Sequence, residues 1–173
     1  MNKNLAGMRK NAFRHPEKLH RTSWYKYLTW TNGRELASVS SEFSLDGQQP
    51  DITYSYNADG IRVSKTVNGI KHEYILSGTQ IDQEIIYNAA GTSVVTELRY
   101  IYDAQGLPCA VRVITAYSNT YYLLETNIQG DVIAIYNTSG TKLVEYFYDA
   151  WGNILDTNVY TGGTDIATLN PFR

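Results

Sequence analysis

The chain has 173 residues, among them 15 tyrosines and 13 glycines, and a formal net charge of −2. That length suits one domain around a single buried core. The lone cysteine, Cys109, excludes an internal disulfide framework, no apolar run is long enough for a membrane-crossing helix, and the first ten residues lack the apolar stretch of a secretory signal.

Charge is unevenly spread. Residues 1–22 hold Lys3, Arg9, Lys10, Arg14, Lys18 and Arg21 against Glu17, a local balance of +5 that leaves −7 for the rest. A basic head on an acidic body suits contact with nucleic acid or a membrane surface. Residues 1–22 show neither strand alternation nor an amphipathic stripe, however, and read as a poorly ordered, solvated tail. Pro16 breaks it, and at most a short helix forms between Leu5 and Phe13. The body lacks the clustered cations that phosphate binding needs.

Beyond the tail, tyrosine-rich segments alternate with glycine turns. A strand is expected from about Trp24 to Trp30, turning at Asn32-Gly33, and further turns fall at Asp46-Gly47 and Asn68-Gly69. The organising feature is a tetrad of Asn or Asp, two variable residues and Gly. It recurs at Asn57–Gly60, Asn88–Gly91, Asp103–Gly106, Asn127–Gly130, Asn137–Gly140 and Asp149–Gly152. In all but one a tyrosine precedes it, and Thr126 is the exception.

The tetrad has the chemistry of a tight hairpin connection. Its first side chain can accept backbone amide protons inside the turn, and its glycine tolerates a positive φ. A type I turn followed by a left-handed glycine closes a hairpin with a one-residue bulge. The flanks alternate in period two, so Tyr54 shares a face with Tyr56, Tyr100 with Tyr102, and Tyr146 with Tyr148. Stacked hairpins would align tyrosines on neighbouring strands. About ten to fourteen antiparallel strands are expected, in a β-sheet region spanning 23–160. Residues 161–168 read as a mobile loop.

Several of these segments together resemble the YD-repeat (RHS) proteins. The residues that carry the resemblance are Gly140, Tyr146, Tyr148, Asp149, Gly152 and Asn153, then Gly91, Tyr100, Tyr102, Asp103 and Gly106, and then Tyr54, Tyr56, Asn57, Gly60 and Arg62. Trp30 to Leu36 reads the same way. The ending Asn170-Pro171-Phe172-Arg173 is similar to the opening of the RHS-associated core segment, which places a loop and that segment's start over 161–173.

The resemblance implies an all-β fold, an antiparallel hairpin meander curved or spiralling as a fragment of an RHS shell. It implies a structural, non-enzymatic role in a polymorphic toxin or cell-surface competition system, in which shells enclose a C-terminal toxin. The expected partners are other RHS shell segments, self-association through edge strands such as residues 24–30, a toxin cargo and its immunity protein. The implied localisation is secreted or cell-surface within a larger protein, and cytoplasmic for this chain expressed alone. The toxin domain, the self-cleavage motif and the length for a closed shell are all missing from the sequence, so only the wall of the shell transfers. The alternative is a carbohydrate-binding or adhesive module that uses the tyrosine rows with Trp24, Trp30 and Trp151.

No catalytic, cofactor or metal-binding set emerges from the residues. His15 and His20 lie in the tail without partners at metal-ligand spacing. His72 stands beside Glu73 on a strand, so the two face opposite ways and His72 reads as a surface histidine. Asp82 and Glu84 share a strand face and read as solvated acids rather than a glycosidase pair. Asp103 and Asp149 are explained as turn residues. Cys109 reads as a small buried hydrophobe. Neither a phosphate loop nor a Ser/His/Asp triad can be assembled. The expectation is therefore no cofactor, no nucleic acid and no membrane span.

Overall fold

A computed structural model describes residues 11–13, 26–41 and 51–172. Thirteen strands and one short helix follow in chain order: β1 (Asn11–Phe13), β2 (Lys26–Thr31), β3 (Glu35–Ser41), β4 (Ile52–Tyr56), β5 (Arg62–Val67), β6 (Ile70–Ser77), β7 (Gln80–Tyr87), β8 (Val94–Tyr102), β9 (Pro108–Thr115), β10 (Asn119–Thr126), β11 (Val132–Asn137), β12 (Lys142–Tyr148), β13 (Ile154–Val159) and α1 (Thr164–Leu169). The order of strands in the sheet is their order in the chain, so the fold is an open antiparallel meander. Its contacts divide into two units, residues 1–80 with 84–95 and residues 81–83 with 96–173.

The tetrads make the turns for the expected reason. All six tetrad glycines have positive φ, from +67° at Gly91 to +93° at Gly130. At Asn57, Asp103, Asn127, Asn137 and Asp149 the side-chain Oδ1 accepts two amide protons, from the residues two and four further on. The glycine N–H closes back onto the carbonyl of the first residue. Asn88 departs from this pattern. Its Oδ1 takes the amides of Thr92 and Ser93, and its own N–H reaches Ser93 O, one residue further than in the others. The ladder shifts register beside the turns, at Ser55/Tyr56, Ile101/Tyr102 and Phe147/Tyr148, as a closing bulge requires.

One of these turns makes a pH prediction. The side-chain and backbone hydrogen bonds from Asn153 hold the Asp149 carboxyl below its ordinary range. A depressed carboxylate contributes stability above its unfolded pKa, roughly 4, and loses it as pH falls through the folded value. Asp149→Asn keeps the acceptor, as Asn57 and Asn137 show. The variant is therefore expected to lose less stability than wild type below roughly pH 4, read by thermal melts across a pH series. Parallel pH curves for the two proteins would refute the linkage.

Tyrosines mark a longer repeat than the hairpin. Tyr56, Tyr102 and Tyr148 end β4, β8 and β12 at equal intervals, and each phenol donates to a carbonyl near the start of the preceding strand. The acceptors are Leu36 O at 3.0 Å, Ile81 O at 2.6 Å and Val132 O at 2.7 Å. The unit of repetition is thus four strands. Across the β4–β5, β8–β9 and β12–β13 ladders the paired tyrosines stand opposite Lys65, Arg62, Val111, Pro108, Thr157 and Ile154, not opposite other tyrosines as expected. Ring pairs form between Tyr100 and Phe172, Tyr102 and Phe172, and Tyr146 and Tyr148.

Among the described residues the second unit holds most of the buried apolar core, including Leu98, Val111, Val113, Leu124, Val132, Ile135, Val144 and Tyr146. Period-two alternation turns these positions to one face, where Leu98 stands opposite Val113 and Ile135 opposite Val144. Residues 161–168 were expected as a mobile loop, but Thr164–Leu169 is helical. Ile166 and Ala167 are buried, and Ile166 and Leu169 line one crevice with Val113 and Tyr122. Burial of that apolar edge outweighs the loop signal of Gly162-Gly163. Phe172 then packs edge-on against Tyr100, with ring centroids 4.9 Å apart.

The first unit differs at its start from expectation. Asn11–Phe13 lies within the segment read as a tail, yet it pairs with β2, with Ala12 opposite Tyr27. Residues 24–30 are therefore not the outermost strand, since β1 takes up the β2 edge. The remaining tail residues, including His15 and His20, lie outside the described residues, as do Trp24 and the turn at Asp46-Gly47.

Candidate functional site

The polar cluster of the first unit forms on one face of β4 to β7. In β6 the alternation sends His72 and Tyr74 to one side and Lys71 and Glu73 to the other. Partners confirm the split. Glu73 accepts from the Tyr87 phenol at 2.7 Å and pairs with Lys71 at 3.3 Å, whereas His72 Nδ1 lies 2.7 Å from Glu84 Oε1.

Glu84 is 3% exposed, so it is not the solvated acid expected from its spacing with Asp82, which is exposed. His72 is half-buried rather than a surface residue. The contact with the Glu84 carboxylate fixes the orientation of the ring and engages Nδ1, so Nε2 is the other ring nitrogen. Burial first, and the Glu84 charge second, hold the Tyr74 phenol well above its ordinary range, while Arg62 pulls it down and Tyr54 adds to the rise. The Arg62 guanidinium sits 4.4 Å from the centroid of the Tyr54 ring. Lys65 lies in register between Tyr54 and His72.

A carboxylate-bound imidazole beside a phenol and a guanidinium can transfer a proton and steady a developing negative charge. Its type is that of acid–base chemistry without a metal ligand set. Among the described residues no three His, Cys, Asp or Glu side chains come together to hold a metal. The missed signal was cross-strand. His72 and Glu84 are twelve residues apart, and only the pairing of β6 with β7 around Gly78 unites them. Asp103 and Asp149 are turn acceptors, as expected. Cys109 is half-buried, with its thiol directed at Ile101 O.

No family model matches the chain. Three curated proteins do resemble it. The tRNA3(Ser)-specific nuclease WapA of Bacillus spizizenii is 34% identical over 137 residues. The tRNA nuclease WapA of Bacillus subtilis strain 168 is 31% identical over 135 residues, and the tRNA(Glu)-specific nuclease WapA of Bacillus subtilis subsp. natto is 32% identical over 135. Each match takes in 78% of this chain and 5% of the relative. The relatives are nucleases by name.

These findings correct the functional reading of the sequence. The relatives found are WapA proteins rather than plain YD-repeat (RHS) segments, and their names describe an enzymatic activity on tRNA. The expectations of a non-enzymatic shell module and of no nucleic acid are overturned by that likeness, and the expectation of RHS shell partners finds no support in it. The carbohydrate-binding alternative gains nothing from it, and Tyr100 and Tyr146 are buried, not offered to a sugar. The fold expectation stands. Among the described residues no helix is long and apolar enough to cross a membrane.

Proposed function

We propose that this chain is a segment of a tRNA-cleaving protein of the WapA kind. The observation that carries the reading is the likeness to three proteins named as tRNA nucleases, sustained over more than three quarters of the chain. The local geometry is compatible with such chemistry. RNA cleavage needs a group to take the 2′-hydroxyl proton, one to protonate the leaving oxygen and a cation near the phosphorus. His72, Glu84, Tyr74 and Arg62 are the described residues of the first unit that offer those groups together. A tRNA nuclease endangers the cell that makes it, so a cognate immunity protein and secretion or surface display belong to the same proposal.

The test is cleavage of purified tRNA, followed on denaturing gels, by the full-length protein that contains this chain and by the 173-residue chain alone. The full-length protein is expected to cut tRNA, and intact tRNA after prolonged incubation overturns the proposal. His72→Ala then locates the chemistry. Loss of about 100-fold or more in rate, as removal of an acid–base group gives, assigns it to the His72–Glu84 pair. An unchanged rate removes it from the His72–Glu84 pair.

A further inference from the structure

The outer face of the second unit holds a cavity of about 730 Å³ that the tRNA reading does not use. Its form follows from strand register. Ile135 and Val144 stand opposite each other and are fully buried on the core face. Their neighbours Ala134 and Glu145, also opposite each other, therefore turn to the other face. Glu125 is opposite Ala134 on the third strand. A methyl group in the middle of that row leaves a slot, and Ala134 is its floor at 2% exposure.

Aromatic rings and acids line the slot. Phe147 is 44% exposed, and Trp151, in the Asp149–Gly152 turn, is 87% exposed. Glu125, Asp131, Glu145 and Asp149 line it against one cation, Lys142, which Glu145 already holds at 2.6 Å. Such a lining repels nucleic acid phosphates. It also differs from an ordinary apolar patch, because the exposed indole is bordered by carboxylates. The matching ligand is cationic, planar and able to lie on a ring, which describes arginine better than lysine. The same chain shows the contact twice, with Arg62 over Tyr54 at 4.4 Å and Arg112 over Tyr121 at 5.4 Å.

From charge complementarity and this stacking surface, we propose that the groove over β10 to β12 docks an arginine-bearing segment of a partner protein. The guanidinium lies against Trp151 or Phe147 and its fork meets Glu125 or Glu145. This surface is independent of tRNA cleavage, and the two readings stand or fall separately.

Calorimetric titration of the whole chain with hexa-arginine at low salt tests it, with hexaglutamate as the opposite probe. Hexa-arginine is expected to bind at one site, and more weakly as salt rises. Trp151→Ala should weaken it by about fivefold or more, in line with a desolvated cation–π contact, and Glu125→Gln should weaken it as well. Tyr117→Ala, an exposed ring in the β9–β10 turn, should leave the affinity unchanged. Both tryptophan and tyrosine lie in exposed turns, so the variants are expected to fold. Affinity equal in wild type and Trp151→Ala, no binding of hexa-arginine, or equal binding of hexaglutamate overturns the proposal.

Discussion

Gly163→Ala should destabilise the second unit more than Gly130→Ala, Gly140→Ala, Gly152→Ala or Gly162→Ala. A Cβ built on Gly163 falls 2.1 Å from the Leu143 carbonyl oxygen and 2.9 Å from its carbon, with Tyr160 O at 3.1 Å. These are backbone atoms, held by hydrogen bonds from Tyr160 N–H to Leu143 O and from Gly163 N–H to Tyr160 O, so no rotamer change relieves the overlap. The chain must either lift α1 from the strands or break the contact of β12 with the segment that follows β13. Overpacking against a fixed backbone costs about 3 kcal/mol, which for a chain of this size lowers Tm by roughly 6–12 °C. Gly162→Ala is the control. Its φ is +83° and the nearest contact is a Leu143 methyl at 3.9 Å, so it should show only the left-handed penalty of about 1–2 kcal/mol. A Gly163→Ala melt within about 2 °C of wild type, under 1 kcal/mol by the same scaling, would place the Leu143 carbonyl elsewhere.

The turns were legible because they are local. Asn or Asp with Gly three residues later encodes its own hydrogen bonds and its own positive φ, and Asn32-Gly33 and Asn68-Gly69 have positive φ at both residues. The helix at 164–169 was not legible, because Ile166 is buried and shares a crevice with Val113 and Tyr122, on strands more than forty residues earlier in the chain. The His72–Glu84 pair and the floor at Ala134 were hidden for a similar reason. Each depends on which residue of one strand stands beside which residue of the next, and one step of register would separate them. The family reading erred where it leaned on turn chemistry. Tyr148, Asp149 and Gly152 make a hairpin wherever such a hairpin is wanted, so they report on local folding and not on function.

Equivalent tyrosines should differ in what their loss costs, in an order set by burial rather than by the repeat. Tyr54, Tyr100 and Tyr146 occupy the same position of β4, β8 and β12, two residues before the turn tyrosine. Tyr146 is 3% exposed and accepts from Asn170 Nδ2 at 3.4 Å. Tyr100 is 5% exposed and receives the Phe172 ring edge-on. Tyr54 is only half-buried, with the Arg62 guanidinium over its face. Replacing a buried ring by alanine removes its transfer free energy and leaves a cavity, a loss of about 3–5 kcal/mol at Tyr100 and Tyr146. At Tyr54 water already reaches the ring, so the vacated space fills and the expected loss is about 1 kcal/mol, mostly the exposed cation–π contact. Urea unfolding followed by amide exchange on each unit separates the two cases, since only the strands of the affected unit lose protection. Equal losses at all three positions would mean that the four-strand period, and not burial of the individual ring, sets the energetic weight of these tyrosines.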